Sequence, residues 1–106
     1  MIKMQKGSSN VYADLGMADA DEMLVKAQLA SKIAEILSHR NLVQQQAAKL
    51  LNISQPKLSN LLRGNFRGIS EVKMLECLTL LGSDVSIVVK SKRAPRTAGH
   101  LSVVFA

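Results

Sequence analysis

Residues 44–63 read QQQAAKLLNISQPKLSNLLR, and this stretch predicts two short helices joined by a tight turn. Ala47, Leu50 and Leu51 recur at helical spacing, so we expect them to form the buried face of the first helix. The turn needs a residue that tolerates a positive φ, and Asn52 stands where it is needed. The pattern therefore predicts a sharp corner between two packed helices.

The second of these helices carries its own start signal. Ser54 is a good N-cap, and Pro56 falls in the first helical turn, where a missing N–H costs little. We therefore expect the Ser54 hydroxyl to accept a hydrogen bond from the backbone N–H of Lys57. Leucines at positions i, i+3 and i+4 predict the buried stripe of this helix: Leu58, Leu61 and Leu62.

The remaining positions of this helix are short, polar or basic. At about 100° per residue they lie opposite the leucine stripe or at its shoulders: Gln55, Pro56, Lys57, Ser59, Asn60 and Arg63. A major-groove surface requires such side chains, so the spacing predicts a DNA-binding helix-turn-helix with residues 55–63 as its recognition helix. The alternative is an ordinary helical hairpin whose polar face is only solvated.

Charge distribution separates these two interpretations. The chain has a net charge of +6, and no acidic residue lies between Glu35 and Glu71. Five basic residues lie in that interval: Arg40, Lys49, Lys57, Arg63 and Arg67. A solvated helical face usually mixes charges of both signs, whereas charge of one sign around a recognition helix is typical of a protein that binds a polyanion.

Each polar residue of this surface has an expected role on double-stranded DNA. Gln44 should contact a phosphate and brace Gln55, which can bond bidentately to adenine N6 and N7. Asn60 or Ser59 can reach the next base edges. Pro56 belongs to the same surface. The residues that we expect to bind phosphates are Lys57, Arg63 and Arg67.

Apolar periodicity predicts two further helices. A long helix should run over about residues 19–39 and end at Asn41, with a buried face that comprises Met23, Ala27, Ala30, Ile33, Ala34, Ile36 and Leu37. After a loop at 64–69, Ser70 should start another helix that ends at Gly82. The apolar pattern of this last helix includes Val72, Leu75, Leu78, Thr79 and Leu81.

The chain changes period after this helix. Val85, Ile87 and Val89 alternate with other residues over 84–90, which predicts a strand. A basic, proline-containing linker follows, and alternation at Leu101, Val103 and Phe105 predicts a second strand. The predicted organisation is a loose lead at 1–18, a helix-turn-helix domain at 19–82, and strands with a basic tail at 83–106.

A lone strand is costly because its backbone edges and its apolar face are exposed. Two pairings are open: a hairpin of residues 85–89 with 101–105 in one chain, or a sheet shared by two chains. We favour the shared sheet, with Val85, Ile87 and Val89 at a homodimer interface. Two recognition helices about 34 Å apart would then meet successive major-groove turns of a palindromic operator.

Residues that carry catalysis or bind metals are sparse. His39 and His100 belong to no metal-ligand spacing, and no glycine-rich phosphate loop is present. Cys77 lies among leucines, which favours a helix-core position over a catalytic thiol. We therefore predict no enzyme, cofactor or metal. One cysteine and the lack of an apolar run of about 20 residues predict a cytoplasmic protein rather than a membrane protein.

The stretch from Arg40 to Gly64, RNLVQQQAAKLLNISQPKLSNLLRG, resembles the XRE/Cro-type helix-turn-helix proteins. Residues 7–33 and 81–90 resemble a subgroup that includes the HigA-like antitoxins, which are encoded beside RelE/HigB-type toxins. The resemblance implies a mainly α, lambda-repressor-like bundle of four to five helices with one or two C-terminal β-strands. Val43 stands where family members usually have Thr, and we expect it to weaken the cap of its helix.

The residues and the resemblance together predict a homodimeric transcriptional repressor of double-stranded DNA. The resemblance further implies an antitoxin that represses its own operon and neutralises a RelE/HigB-type ribonuclease toxin. One alternative is a stand-alone or phage-type regulator without a toxin. Another is a protein-interaction module in which the apolar tail binds a partner and the helix-turn-helix is vestigial.

Overall fold

Helix α1 (Ala20–His39) is the longest element of the computed structural model, which describes residues 20–91 and 98–106. Asp21 and Glu22 lie in its first turn, where they complement the positive end of the helix dipole. Its buried side differs from the predicted one, since Ala27, Ala34 and Ile36 are only partly buried. The buried residues are Met23, Val25, Lys26, Leu29, Ala30, Ile33 and Leu37. The chain leaves α1 through Asn41, which takes the left-handed conformation (φ 54°).

Helix α2 (Gln44–Leu51) has a weak N-cap, as predicted from Val43. The Val43 side chain has no oxygen to accept from the helix, and only the reverse half of a capping box forms: the Val43 N–H donates to Gln46 Oε1 at 3.3 Å. The helix ends at Asn52, whose φ of 57° and ψ of 44° confirm the predicted left-handed position. Two backbone hydrogen bonds close the corner: Ile53 N–H to Ala48 O at 3.1 Å and Asn52 N–H to Lys49 O at 3.2 Å.

Helix α3 (Gln55–Leu62) begins as its sequence predicted. The Ser54 hydroxyl accepts from the Lys57 N–H at 3.2 Å, and Pro56 lies in the first turn. Leu58 and Leu61 are fully buried against the other helices, so the opposite face of α3 is turned outward. This arrangement is what makes α3 available to a partner.

Helix α4 (Glu71–Leu80) follows a loop that is itself anchored in the core by Phe66 and Ile69. The Ser70 hydroxyl caps the helix by accepting from the Lys73 N–H at 3.1 Å. At the other end the Arg40 guanidinium donates from Nη2 to the Leu81 carbonyl at 2.6 Å. The first residue after α1 therefore caps the C-terminus of α4.

The four described helices enclose one core, in which α1 packs on α4 and α2 packs on α3. The most deeply buried side chains come from all four helices: Leu29, Ile33, Leu51, Leu58, Leu61, Met74 and Cys77. Burying each side chain of this size stabilises the fold by roughly 1.5–3 kcal/mol. No described helix has the length and apolar character needed to cross a bilayer.

Three positions of the patterns predicted for α2 and α4 are exposed: Leu50, Val72 and Thr79. Leu50 is 39% exposed, because α2 turns Ala47, Ala48 and Leu51 inward and Leu50 lies about 100° from the centre of that face. Val72 is 74% exposed, because α4 turns the opposite side, centred on Met74, to the core. Both helices are short, so the few apolar residues in each do not determine which side is buried.

The two C-terminal segments, residues 83–91 and 98–106, have no strand hydrogen bonding in the described chain. The predicted strands are therefore unconfirmed. The first segment is open to solvent, with Ile87 78% and Val89 89% exposed and Val85 less so. The second folds back on the helices, where Val103 and Phe105 pack partly against the core.

Contacts with α1 hold this second segment in place. His100 Nδ1 lies 3.2 Å from Asp21 Oδ2, and Lys32 Nζ lies 5.9 Å from the centroid of the Phe105 ring. Both C-terminal segments line one cavity of about 630 Å³ against α1 and α4. The predicted lead at 1–18 and most of the basic linker lie outside the described residues.

Candidate nucleic-acid interface

The outward face of α3 brings together most of the predicted DNA-binding residues. Gln55, Pro56 and Lys57 are exposed in its first turn. Ser59 and Asn60 are half-buried farther along. Because Leu58 and Leu61 fix the opposite side in the core, these side chains share one surface without competing for burial.

Arg63, just beyond α3, is tied to Asn60. Its Nη2 donates to Asn60 Oδ1 at 2.8 Å. This bond uses one of the two lone pairs of Asn60 Oδ1 and leaves the Nδ2 group as a donor. Asn60 therefore keeps one acceptor position and its N–H donors, so it can still bond to adenine N6 and N7 while Arg63 remains attached.

The corner between α2 and α3 forms a shallow depression of about 600 Å³ beside Gln55. Gln45 and Lys49 of α2 line it together with Gln55, although neither was among the predicted binding residues. Lys49 is exposed and has the charge to meet a phosphate. The interval without acidic residues already contained this signal, since Lys49 was one of its five basic residues.

Gln44 is the first residue of α2 and is exposed. Among the described residues no hydrogen bond joins it to Gln55, and Gln44 lines a different depression with Leu58 and Leu62. The predicted bracing of Gln55 therefore stays a prediction for the DNA-bound protein. The Val43 N-cap leaves the first N–H groups of α2 without a side-chain acceptor, and such groups favour an anion.

Two basic residues of this region make hydrogen bonds that join separate elements of the fold. Arg40 caps α4 through the Leu81 carbonyl, and Lys73 joins α4 to the corner through Asn52 O at 3.4 Å. Exposed basic residues around α3 are Lys49, Lys57, Arg63 and Arg67. The backbone carbonyl of Arg67 lies 3.5 Å from Lys26 Nζ.

Three residues were considered for catalysis or metal binding: Cys77, His39 and His100. Cys77 is fully buried in α4, as predicted for a core residue, and burial raises the pKa of its thiol, with Lys73 opposing and Glu76 adding to the effect. His39 is exposed at the end of α1, and His100 pairs with Asp21. The described part of the chain contains no cluster of three His, Cys, Asp or Glu residues that could hold a metal ion.

Comparison with known proteins agrees with this geometry. The model of a family described as a helix-turn-helix domain matches residues 11–90, which include all four described helices. A solved structure named provisionally as an XRE family transcriptional regulator matches with a TM-score of 0.73 and 36% sequence identity. That match covers 83% of this chain and 99% of the other. None of the curated proteins matches the chain.

Proposed function

The chain belongs to the XRE-type helix-turn-helix family, and we propose that it is a sequence-specific repressor that binds double-stranded DNA. One observation carries this proposal: the outward face of α3 is polar and basic and lies in the middle of an interval without acidic residues. Around it stand three further basic residues that are exposed: Lys49, Arg63 and Arg67. Such a surface fits the phosphates and base edges of a major groove.

Within this proposal α3 enters the major groove, with its first turn nearest the bases. Gln55 makes the principal base contact, since it is exposed at the start of α3 beside the corner between α2 and α3. Farther along the helix, the Asn60–Arg63 pair contacts base edges or positions α3 on the DNA. Lys57 and Arg67 bind phosphates, joined by Lys49 from α2.

A titration of the protein's own promoter DNA at several salt concentrations tests this function. If each chain of a dimer neutralises about four phosphates, the slope of log K against log salt should be near −7. Lys57→Ala should flatten the slope by about one to two units and weaken all DNA alike. Lys32→Ala, which removes an equal charge from α1 beside Phe105, is the matched control and should leave the slope unchanged.

Specificity has a separate test. Gln55→Ala should cost about 1–3 kcal/mol on the true operator and almost nothing on random DNA, because a base contact is lost. Asn60→Ala should behave in the same way. An equal loss of affinity on both kinds of DNA would show that base contacts are made by a surface other than α3. A salt slope near zero for the wild type would contradict the DNA-binding proposal altogether.

We also propose that the repressor is a homodimer joined through its C-terminal segments. The exposed apolar side chains at Val85, Ile87 and Val89 support this pairing, because a second copy would remove them from water. The intrachain hairpin remains the alternative, since residues 101–106 line the same cavity as residues 83–88.

The antitoxin role is a further proposal, and it rests on the resemblance of residues 7–33 and 81–90 to HigA-like antitoxins. The chain would repress its own operon and neutralise a RelE/HigB-type toxin. Co-expression with a short adjacent reading frame that encodes a basic RelE-like protein tests it: the pair should purify as a complex and restore growth. If no such reading frame exists, a stand-alone regulator is the better account.

A further inference from the structure

Lys26 is the one charged side chain buried in the core of the described chain, with 5% of its surface exposed. Its ammonium lies between Glu22 Oε1 at 3.6 Å and Glu71 Oε1 at 3.7 Å. A buried charge is costly unless it is paired, and a well-packed apolar side chain often serves stability as well as a buried ion pair does. Core packing alone therefore does not explain a lysine at this position.

The third neighbour of the ammonium indicates what the lysine does. Lys26 Nζ lies 3.5 Å from the backbone carbonyl oxygen of Arg67, which it approaches as a donor. Arg67 lies in the loop between α3 and α4, and the residues on either side of it in this loop, Phe66 and Ile69, are buried in the core. The ammonium thus attaches the exposed backbone at Arg67 to α1, between the buried side chains of Phe66 and Ile69.

We propose that Lys26 is a positioning residue for DNA binding, which fixes the backbone of Arg67 so that its side chain meets a phosphate. This proposal rests on the DNA-binding function proposed above. Glu71, in the first turn of α4, holds the ammonium from one side and Glu22 holds it from the preceding turn of α1. A contact made from a fixed backbone loses less conformational freedom on binding than one made from a mobile loop.

Salt-dependent DNA binding by four proteins tests this: Lys26→Met, Arg67→Ala, the double variant, and Lys32→Met as the control. Lys32 is on the same helix and pairs with Glu35 at 3.7 Å, so its loss removes an equal charge without touching the loop. We expect Lys26→Met to flatten the salt slope by about one unit per chain, as Arg67→Ala does. The double variant should show no flattening beyond that of Arg67→Ala, because both changes remove one contact.

A slope for Lys26→Met equal to that of Lys32→Met, or additive effects in the double variant, would overturn the positioning role. A wild-type slope near zero would instead remove the DNA-binding function on which it rests. If Lys26→Met does not fold, as judged by circular dichroism, Glu71→Gln decides: it weakens the attachment of the ammonium and should flatten the slope in part. Glu76→Gln, which alters a carboxylate paired with Lys73 instead, should not.

Discussion

Single residues determine the ends of the helices in this protein. Asn41 and Asn52 both take positive φ. Asn41 was predicted to end its helix, and Asn52 was predicted to take positive φ because asparagine tolerates the left-handed region better than most residues with a Cβ. The caps from Ser54 and Ser70 follow from equally local chemistry. Interactions between neighbours in sequence are visible in the sequence itself, so these features could be predicted.

Asn52 provides a test of this local strain. Asn52→Ala should lower the free energy of unfolding by about 1 kcal/mol, because alanine in the left-handed region costs roughly 1–2 kcal/mol and asparagine somewhat less. Asn52→Gly should match or exceed the wild type. Urea unfolding followed by circular dichroism measures both. Equal stability of the alanine and glycine variants would show that the corner does not depend on this conformation.

Cys77 gives a prediction about pH. Because burial raises the pKa of its thiol in the folded protein, the neutral thiol is favoured by folding. Its contribution to stability is therefore complete below the pKa of the unfolded thiol and is lost as pH rises through the higher folded value. We expect the wild type to lose more stability than Cys77→Ala between neutral and alkaline pH, and native Cys77 to react slowly with a thiol reagent at pH 7. Rapid labelling without unfolding would contradict its burial.

Lys26 shows what the sequence did not reveal at the residue scale. Its partner Glu71 is 45 positions away, and apolar periodicity places no lysine in a core. Leu29 was likewise absent from the predicted face of α1, although it is almost fully buried. Both depend on how α1 meets α4, which is a property of tertiary packing.

At the scale of elements, the helices and their order agree with the periodicity, and the inward faces agree only in part. The recognition helix was the easiest to orient, because its leucines at i, i+3 and i+4 leave one solution. Its set of binding residues followed from the same geometry. The Asn60–Arg63 bond was not predicted, because many rotamers of two polar side chains are compatible with their spacing.

The end of α4 gives a prediction for an element. Arg40→Met should remove the hydrogen bond to the Leu81 carbonyl and lower stability by about 1 kcal/mol, the usual net value of one such bond. The salt slope of DNA binding should be unaffected, since the Arg40 guanidinium donates to a backbone carbonyl rather than to a phosphate. Thermal unfolding and the promoter titration measure the two effects. A flatter salt slope for a folded Arg40→Met protein would place Arg40 on the DNA instead.

At the scale of the whole molecule, the pairing of the C-terminal segments determines whether the protein is a dimer. Ile87→Lys should place a charge in the proposed dimer interface and yield monomers that keep their helical content. Their affinity for the palindrome should fall by a factor of about 10² or more, because the second recognition helix is no longer tethered. Light scattering and a DNA titration check both results.

Val88→Lys is the matched control for Ile87→Lys. It adds the same charge one residue away, on what would be the other face of the proposed strand, and Val88 is also exposed. The control should remain dimeric. If the wild type is monomeric at high micromolar concentration, the shared sheet is wrong and an intrachain pairing with residues 101–105 becomes the better account.

The Arg40 bond to Leu81 has a consequence for the operator. It fixes the place where the chain leaves the helices, next to the sharp turn at Gly82 (φ 93°), and so it limits swivelling between a reading unit and its C-terminal connection. In a dimer, the two reading units would then meet DNA at one angular setting. Inserting one base pair between the half-sites rotates one of them by about 35°, since a helical turn takes 10–10.5 base pairs. We expect such an operator to bind poorly, and an insertion of ten base pairs, which restores the angle but not the distance, to bind no better.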